Sequence, residues 1–380
     1  MFKRLRQFFS KSSTPVAGPA ADAYTYTVLE CPGCAADIPY EEAVDGLNWK
    51  KCPSCSRPSL IPRHLGPFML YAIAGEGGMG RVYKASCDLY PDKIYAVKIL
   101  PEEKRNDDES IEMLRHESGI TALFNGHPNS VTAVEFDVQD GWAYLVTEYV
   151  EGETLETRIA RQPEGLDEEL VLKDMLDLTS LLESITSQGY LFRDLKPQNI
   201  IIRPDGRPVL LDYGIAMSVE EANSLIDLNY IDGSPHYVPP ERLIGETEDA
   251  RSEIYSLGMV MVHALTGRPY FQLSGKQAIA EAHVNGQRFS MTLIAPGITL
   301  ELAEVLDRMI CRRKEDRISS FTELRKALRQ VATITRRGPY FETTTQLIRL
   351  GDIAALRAGK SGKSQFQDKQ REKTRKPGDP

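Results

Sequence analysis

GYLFRDLKPQNIII, residues 189–202, places Asp194, Lys196 and Asn199 at fixed spacing just ahead of a run of isoleucines. Polar groups of three chemistries against a buried-looking strand need something to act on. The next residues begin to supply it. IIIRPDGRPVLL, residues 200–211, has Asp205-Gly206 at its centre, a hairpin turn signal. The hairpin returns the chain to Asp212 in LDYG, beside Asn199. A surface Asp, Lys and Asn on an ordinary turn would leave the second Asp unexplained. The apolar runs are therefore read as rigid strands that bring Asn199 and Asp212 together.

The chain has 380 residues, room for about two to three domains. Its net charge of −8 is uneven. Residues 1–20 carry Lys3, Arg4, Arg6 and Lys11 without an acid, and residues 360–380 are also basic, so the middle is strongly acidic. That argues against a nucleic-acid-binding core and leaves two basic tails. The tails are read as solvated disorder, with weak membrane-surface contact as the minor reading. There is no apolar run of about 18 residues, so no transmembrane segment is expected. MFKRLRQFFSKSS lacks the apolar core and cleavage site of a secretory signal. Phe2, Leu5, Phe8 and Phe9 against the basic residues suit a surface anchor, and a frayed terminus is the preferred alternative. Six cysteines in this length do not form a disulfide scaffold. Cys87 and Cys311 stand alone as structural thiols, and the chain reads as cytoplasmic.

The order of elements is strand-rich, then helix-rich. Residues 1–23 form a basic tail. YTYTVL (24–29) alternates and leads into a cysteine module at 24–63. Short strands follow, among them RVYKASC, KIYAVKIL and GWAYLVTEYV. From about residue 167 helical periodicity dominates, and SEIYSLGMVMVHALTG is apolar on nearly all sides, hence buried. This pattern predicts an α+β chain of two lobes, not a doubly wound sheet. Residues 333–380 are expected to hold one short helix and then disorder. No sensor domain follows, so an input from inside the cell or through partners is expected.

CPGC at 31–34 and CPSC at 52–55 each put two thiols on one tight turn. Two such turns close a tetrahedral four-sulfur site from Cys31, Cys34, Cys52 and Cys55, which suits structural Zn2+. So short a module has almost no core, so the metal would supply its folding free energy. The module resembles a zinc ribbon, with a rubredoxin-like iron site as the other metal reading. Its acids and bases nearly balance, so a nucleic-acid role is disfavoured and a protein partner is the expectation.

GEGGMGRVYKA carries Gly75, Gly77, Gly78 and Gly80, then Val82. A G-x-G-x-x-G alone is weak. Here β-branched and aromatic residues continue past it, so the loop is a hairpin between strands. Glycines there let backbone N–H groups approach phosphate oxygens without a Cβ in the way. Lys98 follows in YAVKIL among apolar neighbours, where an unpaired ammonium is costly. Glu117 in EMLRHESGITAL is its expected partner.

GEGGMGRVYKA with AVKIL, FRDLKPQNI, DYG and PPE together resemble the signature set of eukaryotic-type protein kinases. GGMG and DARSEIYSLG are most similar to the bacterial Ser/Thr kinases. The resemblance covers residues 67–332, a bilobal kinase domain with a β-rich N-lobe and a helical C-lobe, preceded by the ribbon. It implies a Ser/Thr protein kinase that uses ATP and Mg2+ on protein substrates and phosphorylates itself. It implies Asp194 as acceptor of the substrate hydroxyl proton, Lys196 as neutraliser of the transferring phosphate, and Asn199 and Asp212 as magnesium ligands. Lys98 with Glu117 would serve the nucleotide phosphates. Ala74, Gly75, Gly77, Gly78, Gly80, Val82, Ala96, Ile201 and Leu211 would surround ATP. Thr147 would flank the adenine, and the backbones of Glu148 and Val150 would bond the base. GSPHYVPPE resembles the end of the activation segment, with Ser234 near the acceptor site and Glu241 paired to Arg317.

Several residues depart from the family pattern. Phe192 stands for a His that packs in an apolar column, and Pro239 for an Ala. Tyr213 stands for a Phe and needs a partner for its hydroxyl. Glu253 stands for an Asp that bonds the catalytic-loop backbone, and its extra methylene threatens to loosen that loop. The Arg193 guanidinium beside Asp194 asks for an anion: a phosphate on Ser218, Ser224 or Ser234, with Ser224 preferred, or the carboxylate of Glu220, Glu221 or Asp227. The alternative to an active enzyme is an ATP-binding pseudokinase scaffold acting through partners.

Overall fold

The computed structural model describes residues 27–31, 33–40, 49–77, 80–139, 141–224 and 233–336. The expected tails before residue 24 and beyond 336, and the residues Gly78 and Asp227, lie outside the described residues. The chain divides into two compact units, Met1–Asp107 with Phe136–Tyr149, and Asp108–Glu135 with Val150–Pro380.

The first unit begins with two small hairpins. β1 (Thr27–Glu30) pairs antiparallel with β2 (Asp37–Tyr40), and β3 (Trp49–Lys51) with β4 (Pro58–Leu60). Each hairpin turns at a Cys-x-x-Cys, and the two turns are built alike. Ala35 N donates to Cys31 O and Ser56 N to Cys52 O, both at 2.9 Å. Closing so tightly puts Ala35 (φ 56°) and Ser56 (φ 60°) in the left-handed region, where a Cβ costs roughly 1–2 kcal/mol. Among the described residues the apolar cluster around them is Cys31, Ile38 and Cys52 with Ala36, too little to offset that strain and the ordering of the chain.

β5 (Arg63–Leu65), β6 (Phe68–Gly77), β7 (Gly80–Cys87), β8 (Tyr90–Ile99), β9 (Ala133–Gln139) and β10 (Trp142–Glu148) form one sheet in the order β5-β6-β7-β8-β10-β9. The period-2 alternation sorts its side chains. Tyr83, Ala85, Cys87, Tyr95, Val97 and Ile99 are buried on one face, while Val82, Lys84, Ala96 and Lys98 are half-buried on the other. Phe68 packs edge-on to Tyr95 at 5.4 Å between ring centres. The Arg81 guanidinium lies 5.9 Å over the Trp49 ring, which ties the cysteine hairpins to the strand that follows Gly80.

The second unit is built on two helices, Glu168–Ser187 and Ala250–Thr266. Asp167 caps the first by accepting from Leu170 N at 3.1 Å. Leu172, Met175, Leu178, Leu181, Leu182 and Ile185 face inward and are fully buried, about 1.5–3 kcal/mol each. The second helix is buried nearly all round, as its apolar sequence predicts. It starts with Asp249 and Ser252 in a capping box and ends at Gly267, φ 70°. At Gly258 an added Cβ would meet Ile310 Cγ2 at 2.8 Å, so only glycine lets the two elements approach. The final helix, Phe321–Arg336, runs past the expected boundary at residue 332.

Short strands frame the segment of interest. β11 (Glu153–Thr154) pairs with β13 (Ile200–Ile202), which pairs with β14 (Pro208–Leu210), and β12 (Tyr190–Leu191) pairs with β15 (Met217–Ser218). Gly152, φ 144°, admits β11 alongside, because a Cβ there would sit 2.2 Å from Ile202 O.

Candidate active site and metal centre

The hairpin expected at Asp205-Gly206 forms. Gly206 N donates to Arg203 O at 2.8 Å and Arg203 N to Arg207 O at 2.9 Å, with Gly206 at φ 78°. The register is Ile200 with Leu210, Ile201 with Val209, and Ile202 with Pro208. Leu211 N then donates to Asn199 O at 2.8 Å, so Asp212 follows directly beside Asn199, as the sequence predicts. Asp212 sits at φ 55°, and no glycine forecasts that turn. A second tie holds the returning strand: Leu210 N donates to Asn129 O at 2.7 Å, and Asn129 Nδ2 to Pro208 O at 2.8 Å.

The polar trio converges. Lys196 Nζ donates to Asp194 Oδ2 at 2.6 Å, and Asn199 Nδ2 donates to the same oxygen and to Asp194 O, both at 3.0 Å. Asp194 Oδ1 is buried and has no hydrogen-bond partner among the described residues. One carboxylate oxygen is thus fixed by a cation and an amide, and the other is left to accept a proton. Because the Asn199 amide spends its Nδ2 on Asp194, its Oδ1 remains as an acceptor.

The residues around the trio hold its backbone. Arg193 is at φ 69°. Its N–H donates to Glu253 Oε1 at 2.8 Å, so the longer side chain still reaches the loop backbone. Burial pushes the Glu253 carboxyl up to about 7, against the pull of Arg242 and the Arg193 N–H. Arg193 Nη2 lies 3.1 Å from Glu248 Oε1, with side chains 7% and 3% exposed. Among the described residues Glu248 meets Arg193, an acid outside the expected set of Glu220, Glu221 and Asp227. Glu221 is engaged locally, accepting from Ser218 N and Oγ at 2.9 Å. Ser224 is exposed and donates to Glu221 O at 2.9 Å, and Ser234 lies in the turn leading to Tyr237.

Phe192 and Tyr213 meet edge-on at 5.0 Å, and Tyr213 stacks on Phe124 at 5.9 Å. The Tyr213 hydroxyl finds its partner in Ser130 Oγ at 2.8 Å. Both departures are therefore absorbed by packing. Glu241 and Arg317 form the expected buried pair, two bonds of 2.7 Å.

In the first unit, Lys98 stands between Val82 on β7 and Leu145 on β10, and Ala96 between Lys84 and Thr147. Val82, Ala96 and Lys98 thus share the half-buried face. Gly77 pairs with Gly80 across the loop. Gly80 has φ 137°, and a Cβ there would lie 2.3 Å from Ile99 O. At Gly75 nothing lies within 4 Å of an added Cβ, and Ala74 is exposed. Glu148 is half-buried and pairs with Tyr95 on β8. In the second unit, Glu117 is 5% exposed on the helix Asp108–Leu123, Val150 is buried, and Ile201 and Leu211 are half-buried against its core.

The four cysteines of the hairpins come together, with their sulfurs all within 4.8 Å of one another. Cys31 Sγ is 3.5 Å from Cys55 Sγ, and Cys34 Sγ is 3.6 Å from Cys52 Sγ. Gly33 N points at Cys31 Sγ and Ser54 N at Cys52 Sγ, each at 3.4 Å. The Gly33 N–H holds the Cys31 thiol well down, to about 6.

No helix among the described residues is long and apolar enough to cross a membrane. A family model described as the protein kinase domain matches residues 68–330. The chain is 32% identical over 242 residues to the serine/threonine-protein kinase PrkC of Bacillus subtilis, covering 63% of this chain and 37% of that one. It is 30% identical over 267 residues to a probable serine/threonine-protein kinase PknB of Lactococcus lactis, covering 70% and 42%. Against a probable serine/threonine-protein kinase of Clostridium perfringens it is 35% identical over 218 residues, covering 57% and 31%. The chain spans about a third to under a half of the length of these curated relatives. The cysteine module precedes the matched segment.

Proposed function

The chain belongs to the protein kinase family, and from that premise we propose that it is an active Ser/Thr protein kinase, transferring the γ-phosphoryl group of ATP to protein hydroxyls. The observation that carries the reading is Asp194: one oxygen is held by Lys196 and Asn199, and the other is buried and unpartnered. A substrate hydroxyl bonding to Oδ1 would be oriented for in-line attack and would pass its proton there as the new O–P bond forms. Lys196 offsets the charge gathering at the transferring group. A carboxylate and a free amide oxygen are the donors a hard cation takes, so Asp212 and Asn199 would hold Mg2+. That ion supplies charge neutralisation between the phosphates when bound. Lys98, with Glu117 as its counter-ion, is assigned to the nucleotide phosphates, and the backbone N–H groups around Gly75, Gly77, Gly78 and Gly80 to the same oxygens. Ala74, Val82, Ala96, Thr147, Ile201 and the backbones of Glu148 and Val150 are assigned to the base. Most of the rate would come from positioning and charge, as in phosphoryl transfer generally.

The cysteine cluster is proposed to hold structural Zn2+. Tetrahedral Zn–S bonds of about 2.3 Å require sulfurs about 3.8 Å apart, and the observed pairs fit that cage. The same module is proposed to meet a protein partner, and the chain to work in the cytoplasm.

The test is transfer of labelled γ-phosphate from ATP·Mg to the full chain and to a basic protein substrate. Phosphoamino-acid analysis is expected to show phosphoserine and phosphothreonine in the wild type and no label with Asp194→Asn. Equal label in both proteins would refute the role of Asp194.

A further inference from the structure

The catalytic loop is held by a charge cluster that the phosphoryl-transfer chemistry above does not use. Arg193 and Arg242 share one buried carboxylate, that of Glu248. Arg193 Nη2 meets Oε1 at 3.1 Å. Arg242 Nε and Nη2 donate to Oε2 at 2.9 and 2.7 Å. Arg242 also reaches the loop, with Nη1 donating to Arg193 O at 2.8 Å. That carbonyl belongs to the peptide that leads into Asp194. With the Glu253 bond to Arg193 N, both backbone groups of a residue in a strained φ are clamped, and one clamp depends on Glu248. Glu248 is itself fixed from the segment after the metal motif. Its N–H donates to Asn223 Oδ1 at 2.7 Å, and Asn223 Nδ2 donates to its carbonyl at 3.2 Å. The side chains of Arg193, Arg242 and Glu248 are 7%, 8% and 3% exposed. Two guanidiniums buried together repel unless an anion sits between them, and the fold provides that anion as a side chain.

We infer that Glu248 is a positioning residue for the transfer reaction, a built-in anion that sets the Arg193–Asp194 peptide, so that the kinase turns over without a phosphate on its activation segment. This rests on the kinase reading above. An added phosphate would supply the same charge to the same guanidinium. Here the carboxylate is already bonded to it and also recruits Arg242. The predicted phenotype of losing Glu248 is therefore a fall in turnover rather than in nucleotide affinity, because the half-site of Lys98 and the glycines is untouched.

The experiment uses the full chain, stripped by a broad protein phosphatase, freed of it, and shown by intact mass to carry no phosphate. Transfer to a basic protein substrate is followed from mixing. The inference expects a linear progress curve from the first time point, at the rate of the untreated protein, and an unchanged rate for Ser224→Ala. Glu248→Gln should lower kcat by about 10- to 100-fold, the scale of a small misplacement at the reacting centre, with KM for ATP within about twofold. Glu248→Asp should recover part of the loss. A stripped protein that is silent, or that starts after a lag which shortens as it phosphorylates itself, overturns the inference and leaves the kinase reading standing. A Glu248→Gln protein that melts like wild type and keeps full kcat also overturns it. Should that variant not fold, the wild-type progress curve decides alone. No transfer even by untreated protein sinks both readings.

Discussion

Replacing Glu241 with alanine should be among the most damaging single changes outside the catalytic loop. Arg317 is saturated: Nε donates to Cys311 O, Nη1 to Glu241 Oε1 and Arg251 O, and Nη2 to Glu241 Oε2 and Arg312 O, all within 2.7–3.0 Å. The guanidinium also lies 4.7 Å over the Tyr255 ring. Its side chain is 0% exposed and that of Glu241 3%. Glu241→Ala would leave a cation with no water and no counter-charge, and would strip Ser252 Oγ of its acceptor. Breaking a buried pair from one side costs about 3–5 kcal/mol. For a domain of this size that lowers Tm by between about 6 and 20 °C. The double variant Glu241→Leu with Arg317→Met, which leaves no lone charge, should recover part of the loss. The pair also has a pH signature. Burial alone would raise the Glu241 pKa, but the Arg317 bonds and charge and the Ser252 hydroxyl bring it below the usual range. A lowered folded pKa means the stabilisation is present above the unfolded value, about 4.3, and is lost as pH falls through the folded one. The gap between wild type and Glu241→Ala, measured by denaturant unfolding of the full chain, should therefore be widest near neutrality and narrow in acid. A gap under about 1 kcal/mol at pH 7, or one that widens in acid, refutes the reasoning.

Other consequences are smaller or more local. Tyr213→Phe removes the hydroxyl bonded to Ser130 and should cost about 0.5–1.5 kcal/mol with kcat nearly unchanged, and a large fall in kcat would give the hydroxyl a role beyond packing. Glu253, raised to about 7 by burial, keeps its stabilising proton below its unfolded pKa and loses that contribution as pH rises through about 7. Wild type should thus lose stability relative to Glu253→Gln between pH 5 and pH 8, and a flat difference would count against the buried carboxyl. Chelation, or Cys34→Ser, should release about one zinc per chain by metal analysis and open the hairpins to protease between residues 24 and 63. A module that stays protease-resistant without metal would show that it folds by other means.

The sequence reading succeeded where chemistry was local. The Asp205-Gly206 turn, the isoleucine run and the recurrence of Asp212 were enough to place Asn199 and Asp212 side by side. Paired Cys-x-x-Cys turns announced the sulfur cage, and an all-apolar helix announced its own burial. What it missed was long-range or unsignalled. The requirement for an anion beside Arg193 was legible, but its identity was not. GETEDA offers several acids and no pattern that singles out Glu248, so nearer acids on the activation segment drew the expectation. The need of Tyr213 for a partner followed from burial, while Ser130, 83 residues away, carried no mark of it. Asn129, which ties the returning strand, stands in HPNS, where no motif marks it. The left-handed turns at Ala35, Ser56, Arg193 and Asp212 lack the glycine that would have forecast them. They exist because surrounding bonds impose them.

The central claim is that this chain moves phosphate rather than merely holding nucleotide. The decisive measurement takes one preparation of the full chain and determines both ATP·Mg binding by calorimetry and phosphate gained, by intact mass, after incubation with ATP·Mg. Saturable binding together with phosphate incorporation in wild type, and binding without incorporation in Asp194→Asn, is the predicted result. Binding without incorporation in wild type, and without transfer to a protein substrate, would contradict the account and make the chain a nucleotide-binding scaffold.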